Sequence, residues 1–256
     1  MHVIPIKTRK FLPPKDDLYE VLDESLPRLR EGDIVVVTSK IVSIGEGRCI
    51  PIGTTEEKKA LIEEEADYLA RFAETRRSLF SVKGNTVVGF AGIDESNSNG
   101  YWTLWPKNPF SSAKNLWSYL RKKHGLNKLG VVITDSVSPP MRLGAIGISI
   151  GFFGLHPIVR YIGKPDLFGR RFVFERANLV DGIAAAAVVA MGEGNEQTPL
   201  AIVRDIPHLR FAPYDTSREL LIRLKEDIYY PLFKPLYEQG RKKKRNHVYA
   251  YRRRLA

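Results

Sequence analysis

Asp33-Ile34-Val35-Val36-Val37-Thr38-Ser39 is a β-branched run entered through Gly32. Its near-continuous apolarity marks a strand buried on both faces. Ile41–Ile44 is expected to continue it beyond a kink. A second run, Leu129-Gly130-Val131-Val132-Ile133-Thr134, has the same character and delivers Asp135 at its end. Upstream, Leu18, Val21, Leu22, Leu26 and Leu29 recur at helical spacing behind Asp16 and Asp17, acids suited to a helix N-terminus. Between the two runs, Thr55–Ala73 reads as a long charged helix with Leu61, Leu69 and Phe72 inward. Thr86–Phe90 reads as a strand entering the polar loop Gly92–Gly100. Ser111 or Ser112 is the expected cap of a helix ending near Gly125.

Beyond Asp135, Ala145–Phe153 is a glycine-punctuated strand, with Gly144, Gly147, Gly151 and Gly154 suited to close packing. Arg171–Arg176 is a strand candidate and Val180–Met191 a small-residue helix capped by Asp181. Leu200–Val203 is a short strand, Ser217–Ile228 a helix, and Pro231 and Pro235 a boundary before the tail. Strands and helices mix without strict βαβ regularity, so the expected class is α+β. One domain is expected over 1–240, with room for two subdomains, followed by a basic tail at 241–256.

The 256 residues are 43% hydrophobic and 27% charged, which excludes a mostly disordered chain. Forty Lys+Arg against 29 Asp+Glu give +11. Eight of those charges sit in Arg241–Ala256 without an acid, leaving the body at about +3. The basicity therefore describes the tail. Cys49 is the only cysteine, excluding an internal disulfide or zinc knuckle, and reads as inert. The five histidines lack metal-ligand spacing. The apolar stretches Leu143–Leu155 and Ile183–Met191 fall short of the ~20 residues of a spanning helix, and no signal peptide opens the chain. A cytoplasmic protein with no membrane contact is expected.

Acids stand where elements end: Gly92-Ile93-Asp94-Glu95-Ser96-Asn97, Ile133-Thr134-Asp135-Ser136 and Met191-Gly192-Glu193-Gly194. Carboxylates beside hydroxyl and amide oxygens suit a hard divalent cation, and flanking glycines let backbone N–H groups approach phosphate. Taken singly, each cluster also reads as an ordinary turn or cap. No Walker A sequence is present. The residues alone reach a non-P-loop nucleotide site and no further.

The order of these strings adds to that reading. Gly32–Ser43 followed by Glu46-Gly47-Arg48, then the strings at 92–97 and 133–136, then Gly163-Lys164-Pro165-Asp166-Leu167-Phe168-Gly169-Arg170 and finally Met191–Gly194, resemble the coenzyme F420-0:γ-glutamyl ligase family. The resemblance runs from Ile4 to Asp205. It implies a GTP-dependent ligase joining L-glutamate to a carboxylate acceptor. Asp94, Asp135, Ser136 and Glu193 would hold two Mg²⁺ or Mn²⁺ ions, with K⁺ a further candidate, and Asp94 and Asp135 would be catalytic. Leu12, Pro13, Ser39, Lys40, Asn97, Gly192 and Gly194 would meet the nucleotide. Arg48, Arg142 and Arg170 are candidates for anionic substrate groups, each equally readable as a salt-bridge residue. The resemblance also implies an intertwined homodimer with the site in a groove between protomers.

The sequence departs from the family pattern at Pro139, where Gly-Arg usually follows Ser/Thr-x, at Ile44 in place of a lysine, and at Gly182 in place of Glu. Intact ligands with an altered surround point to the same reaction class on a different acceptor, with a decayed enzyme as the alternative. The leading acceptor is an F420 precursor or a similar phosphorylated small molecule, and the runner-up a folate. The other reading is a nucleotide- or RNA-binding protein on this scaffold, with nucleic acid reached only through the tail. Trp102, Trp105 and Trp117 read as packing residues, with stacking on a heterocycle as the alternative.

Overall fold

The computed structural model describes residues 1–70 and 80–239. The chain opens with β1 (His2–Ile6), α1 (Leu18–Ser25), β2 (Asp33–Thr38), α2 (Ser39–Gly45) and β3 (Cys49–Pro51). Next come α3 (Thr55–Glu65), β4 (Tyr68–Ala70), β5 (Phe80–Lys83) and β6 (Thr86–Gly89). The chain then runs through β7 (Tyr101–Thr103), α4 (Pro109–His124), β8 (Leu129–Val137) and β9 (Ile146–Phe153). Last are β10 (Ile158–Arg160), β11 (Arg176–Asn178), α5 (Leu179–Met191), β12 (Leu200–Arg204) and α6 (Tyr230–Gln239). These elements form two compact units, one of Met1–Ile52 with Glu95–Leu221, the other of Gly53–Asp94 with the stretch from Ile222 onward. The basic tail, and Phe72 of the expected long helix, lie outside the described residues.

The first unit is built on a five-stranded sheet in the order β1-β12-β2-β8-β9. Only β2 and β8 run parallel, in register from Asp33 opposite Leu129 to Thr38 opposite Thr134; the other pairs are antiparallel. A mixed sheet with helices packed on it is the expected α+β class. Ile34, Val36, Val132, Phe152, Ala201 and Val203 of the sheet form one core with Val180, Ile183, Ala184 and Ala187 of α5. Two glycines of β9 permit the close helix approaches expected of them. A Cβ on Gly147 would lie 2.7 Å from the carbonyl oxygen of Ala184, and one on Gly151 would lie 2.5 Å from the carbonyl carbon of Pro109. Asp33, 1% exposed, receives a bidentate pair from Arg204 at 2.7 and 2.9 Å, tying the start of β2 to the end of β12.

Local signals explain most helix ends. Asp17 caps α1, accepting from the N–H groups of Tyr19 and Glu20. The cap of α4 is Asn108 rather than a serine, since Pro109 takes the first helical position and Asn108 accepts from Ser111 N–H. Gly125, at φ 68°, ends that helix after Arg121, Lys122, Lys123 and His124. Asn178 rather than Asp181 caps α5, and Asp181 instead accepts from Ser149 N–H of β9 at 2.9 Å.

Several expectations are corrected. Ile41–Ile44 is helical, not strand: Thr38 ends β2, and Ile41, Val42 and Ile44 are the buried apolar residues of α2. The helix from Thr55 stops at Glu65, and Leu69 belongs to β4. Arg171–Arg176 is mostly loop, with β11 beginning at Arg176. Ser217–Ile228 contains two short 3₁₀ turns, Ser217–Glu219 and Leu224–Glu226. The helix lies beyond, at α6, with Pro231 inside its first turn where a missing N–H costs nothing.

The second unit contains an antiparallel sheet, β4-β5-β6, and α3. A capping box between Thr54 and Glu57 starts α3. Lys83 of β5 pairs with Glu65 at 2.6 Å, and Phe80 stacks with Phe233 of α6 at a centroid distance of 6.3 Å. After β6 the chain turns through Phe90, Ala91 and Gly92 at φ 53°, 55° and 71°. Ser81 Oγ accepts from Ala91 N–H at 2.8 Å and holds this left-handed run in place.

Candidate functional site

Parallel pairing in register fixes where β2 and β8 end. With Thr38 opposite Thr134, the next residues, Ser39 and Asp135, emerge side by side. Ser39 Oγ donates to Asp135 Oδ1 at 3.2 Å. The other carboxylate oxygen, Oδ2, accepts from Trp105 Nε1. Arg48 Nε in turn donates to the Trp105 carbonyl at 3.1 Å, and Leu104 N–H returns to the Arg48 carbonyl at 3.0 Å. The carboxyl ends of parallel strands are where open α/β sheets place their ligands, because side chains from several connections converge there.

The Gly192–Pro199 loop reaches the same strand ends. Gly192, at φ 81°, stops α5, and a Cβ there would meet the Glu196 carboxylate at 2.3 Å. The next residue, Glu193, accepts from Ser136 Oγ, which lies 2.7 and 3.0 Å from its two oxygens. Gly194 N–H donates to Glu196 Oε2 at 2.8 Å, and Asn97 Nδ2 donates to the Gly194 carbonyl at 2.8 Å. Thr38 N–H donates to the Pro199 carbonyl at 3.0 Å, fastening the loop's far end to β2. Lys40 Nζ donates to the Ser96 carbonyl and lies 3.1 Å from Ser96 Oγ. Four segments distant in sequence, around 39–40, 96–105, 135–136 and 192–199, are thus joined by hydrogen bonds.

Leu12 and Pro13 sit in a separate turn that starts from the same loop, since Thr8 and Gln197 exchange backbone and amide bonds of 3.1 and 2.8 Å. Leu12 N–H donates to Asp16 Oδ2 at 2.8 Å. The Arg9 guanidinium binds both Asp16 oxygens and, with the N–H groups of Leu12 and Asp17, holds that carboxyl down to about 2.

Two arginine candidates, Arg142 and Arg170, are not drawn in. Asp94 is an exposed residue of the second unit, one position before the chain re-enters the first at Glu95. Arg142 is exposed after β8, its N–H bonded to the Pro139 carbonyl. Arg170 is exposed between β10 and β11, its N–H bonded to Asp166. Among the described residues, neither arginine side chain makes a hydrogen bond or ion pair with the Asp135–Glu193 group. Arg48, half-buried, donates from Nε to a backbone carbonyl. Trp102 and Trp117 are buried and donate to Glu95 and to the Leu129 carbonyl, as packing residues do. Trp105 differs, and its bond to Asp135 had no sequence signal, because a tryptophan before a proline carries no mark of its indole direction. Burial pushes the Cys49 thiol up, in keeping with an inert cysteine.

The oxygen-rich donor set of Asp135, Ser136 and Glu193 fits a hard divalent cation. Among the described residues, no three His, Cys, Asp or Glu side chains gather into a metal cage. Mg²⁺ characteristically binds through one or two carboxylates plus substrate phosphates, so Asp135 and Glu193, each accepting from a serine hydroxyl, match its habit. No described helix is long and apolar enough to cross a membrane.

A family model described as F420-0:Gamma-glutamyl ligase matches residues 6–205. The chain is 32% identical over 247 residues to a coenzyme F420:L-glutamate ligase of Methanopyrus kandleri, covering 90% of this chain and 97% of that one. Proteins of the same name from Methanosarcina acetivorans and Methanothermobacter thermautotrophicus are 34% and 33% identical, each over 75% of this chain and 81% and 83% of their own. The strand-end cluster lies wholly inside the matched region, and the chain belongs to the F420-0:gamma-glutamyl ligase family of ligase enzymes.

Proposed function

We propose that this ligase uses GTP and divalent cations to form an amide between the amine of L-glutamate and the carboxylate of a small, F420-0-like acceptor. The observation that carries the reading is the convergence of Ser39, Lys40, Asn97, Asp135, Ser136 and Glu193 at the ends of β2 and β8. A carboxylate is a poor electrophile. Its oxygen attacks the γ-phosphorus, GDP leaves, and an acyl phosphate results. The glutamate amine then attacks the acyl carbon, loses a proton and expels inorganic phosphate. No side-chain nucleophile is needed, so positioning and electrostatics supply the rate.

Asp135, Ser136 and Glu193 would hold Mg²⁺ or Mn²⁺, two ions in the family pattern with Asp94 as a further ligand. When bound, such ions neutralise charge on the transferring phosphoryl group. Lys40 brings a cation and Asn97 an amide to the same strand ends, and the glycines at 192 and 194 leave the backbone open to a phosphate chain. We further propose a cytoplasmic homodimer.

The test is mass spectrometry of reactions containing GTP or ATP, Mn²⁺ or Mg²⁺, L-glutamate and a panel of acceptors. An acceptor gaining a glutamyl residue with the parent protein, and not with Asp135→Asn or Glu193→Gln, is the expected result. Asp94→Asn examines the role the resemblance gives that residue. Full activity in both Asp135→Asn and Asp94→Asn would overturn the metal assignment. Absence of any adduct, hydrolysis or metal-dependent nucleotide binding would favour the non-catalytic scaffold.

A further inference from the structure

We infer that Trp105 is the positioning residue of Asp135: its indole N–H fixes the carboxylate orientation in which Asp135 takes a divalent cation. The inference rests on Asp135 being a cation ligand, as proposed above. Three features of the first unit carry it.

The indole is buried, 3% exposed, so its nitrogen has no bulk water to satisfy it and is committed to a protein acceptor. That acceptor is Asp135 Oδ2, while Ser39 Oγ holds Oδ1. A donor on each oxygen fixes the carboxylate plane. The tryptophan is itself anchored. Its carbonyl accepts from Arg48 Nε at 3.1 Å, and the Leu104 N–H to Arg48 carbonyl bond of 3.0 Å closes the loop from the other side. A rigid donor behind a ligand oxygen is the usual way a protein orients a metal-binding side chain, and losing one weakens metal binding by roughly 10- to 100-fold.

The residue type matters. Indole N–H donates only and does not titrate, so its role as donor to the carboxylate does not change with its own protonation. A lysine or arginine there would add a full positive charge beside a cation site. Tryptophan supplies orientation without opposing the ion. Arg48 thereby gains a role distinct from binding a substrate anion, because it holds the residue that holds Asp135.

The experiment uses the full chain and Mn²⁺ alone, without nucleotide or glutamate, with binding read by electron paramagnetic resonance of free Mn²⁺. Trp105→Phe keeps most of the buried ring area and removes the donor. A benzothienyl analogue of tryptophan installed at position 105 keeps the whole shape and replaces only N–H by sulfur. Both are expected to weaken Mn²⁺ binding by about 10- to 100-fold. A 5-fluorotryptophan at the same position, which retains N–H, is expected to restore it. In turnover assays the Mn²⁺ concentration for half-maximal rate should rise by the same factor, with the rate recovering at saturating Mn²⁺.

Circular dichroism and thermal unfolding establish that each variant is folded; should Trp105→Phe fail to fold, the benzothienyl protein decides alone. Unchanged Mn²⁺ binding in the benzothienyl protein overturns the inference, provided Asp135→Asn binds weakly. Unchanged Mn²⁺ binding in Asp135→Asn overturns the cation assignment itself, so the two failures are distinct.

Discussion

Replacing Gly147 by alanine couples packing to the candidate site through one helix. The added Cβ would lie 2.7 Å from the backbone oxygen of Ala184 and 2.8 Å from Val188 Cβ, neither of which a rotamer change can move. Ordinary contact begins near 3.4 Å, so α5 must withdraw from β9 by about 0.7 Å. Overpacking of this kind costs roughly 1–3 kcal/mol, which lowers the unfolding temperature of a protein this size by several degrees. The same helix ends at Gly192, and the next residue accepts the Ser136 bond at 2.7 Å. A shift of that size carries this bond toward the limit of hydrogen bonding. The rate of glutamate transfer, followed by mass spectrometry, should therefore fall about 10- to 100-fold, the penalty typical of an ångström-scale misplacement. Gly182→Ala is the control on the same helix. No atom lies within 4 Å of its Cβ, so the change should stabilise by about 0.5–1 kcal/mol and leave activity alone. A Gly147→Ala protein with the parent's unfolding temperature and rate would refute the reasoning.

Asp33→Ala removes a nearly fully buried carboxylate and leaves Arg204 unpaired, so urea titration should show a loss of about 3–5 kcal/mol. Burial lowers the His124 imidazole below its ordinary 6.5, and its Nδ1 accepts from Leu29 N–H at 3.3 Å, so the folded state favours the neutral ring. The unfolded chain then binds more protons just below 6.5, and stability from this group, full above that pH, is lost on acidification; His124→Gln should flatten the fall between pH 7.5 and 5. For Asp16, held at about 2 by Arg9, stability is full above the ordinary 3.8 and lost as pH falls toward 2. Arg9→Met should remove that slope from denaturation midpoints taken between pH 5 and 2.5.

The central strands were legible because burial on both faces leaves an unbroken β-branched run, as in Ile34–Val37 and Val131–Ile133. The helix α2 was not, because Ile41, Val42 and Ile44 are also buried, and a short apolar run has no period that separates strand from helix. The cap at Asn108 is masked in the sequence by the serines that follow it, although Pro109 favours the earlier start. Ser217–Ile228 departs from expectation for a similar reason: helix-forming composition is weaker than tertiary context, and Pro231, expected at a boundary, stands in the first turn of α6. In the site, Asp135, Ser136 and Glu193 were legible as acids and hydroxyls at element ends. Their pairing was not, since which strands run parallel and in register is decided by contacts between residues roughly a hundred positions apart.

The departures from the family pattern differ in what they can affect. Ile44 is 1% exposed, one of the buried residues of α2, so the missing lysine has become core and cannot touch an acceptor. Gly182 is exposed in the first turn of α5, thirteen-residue helix to whose far end Glu193 is joined, and the absent side chain leaves only open space. Pro139 is placed differently. It follows Ser136 by three positions in the turn that links β8 to β9, and that turn exposes Met141, Arg142 and Leu143. Substitutions in the core and on the distant end of a helix act through stability, whereas a loop continuing directly from the strand that bears Asp135 and Ser136 can reach whatever those residues hold. Any acceptor preference particular to this chain would therefore be set by residues 138–144. Exchanging that loop for one bearing Gly-Arg should change which acceptor gains glutamate while leaving Mn²⁺ binding as it was, and a swap that abolished Mn²⁺ binding instead would place the loop among the cation's supports.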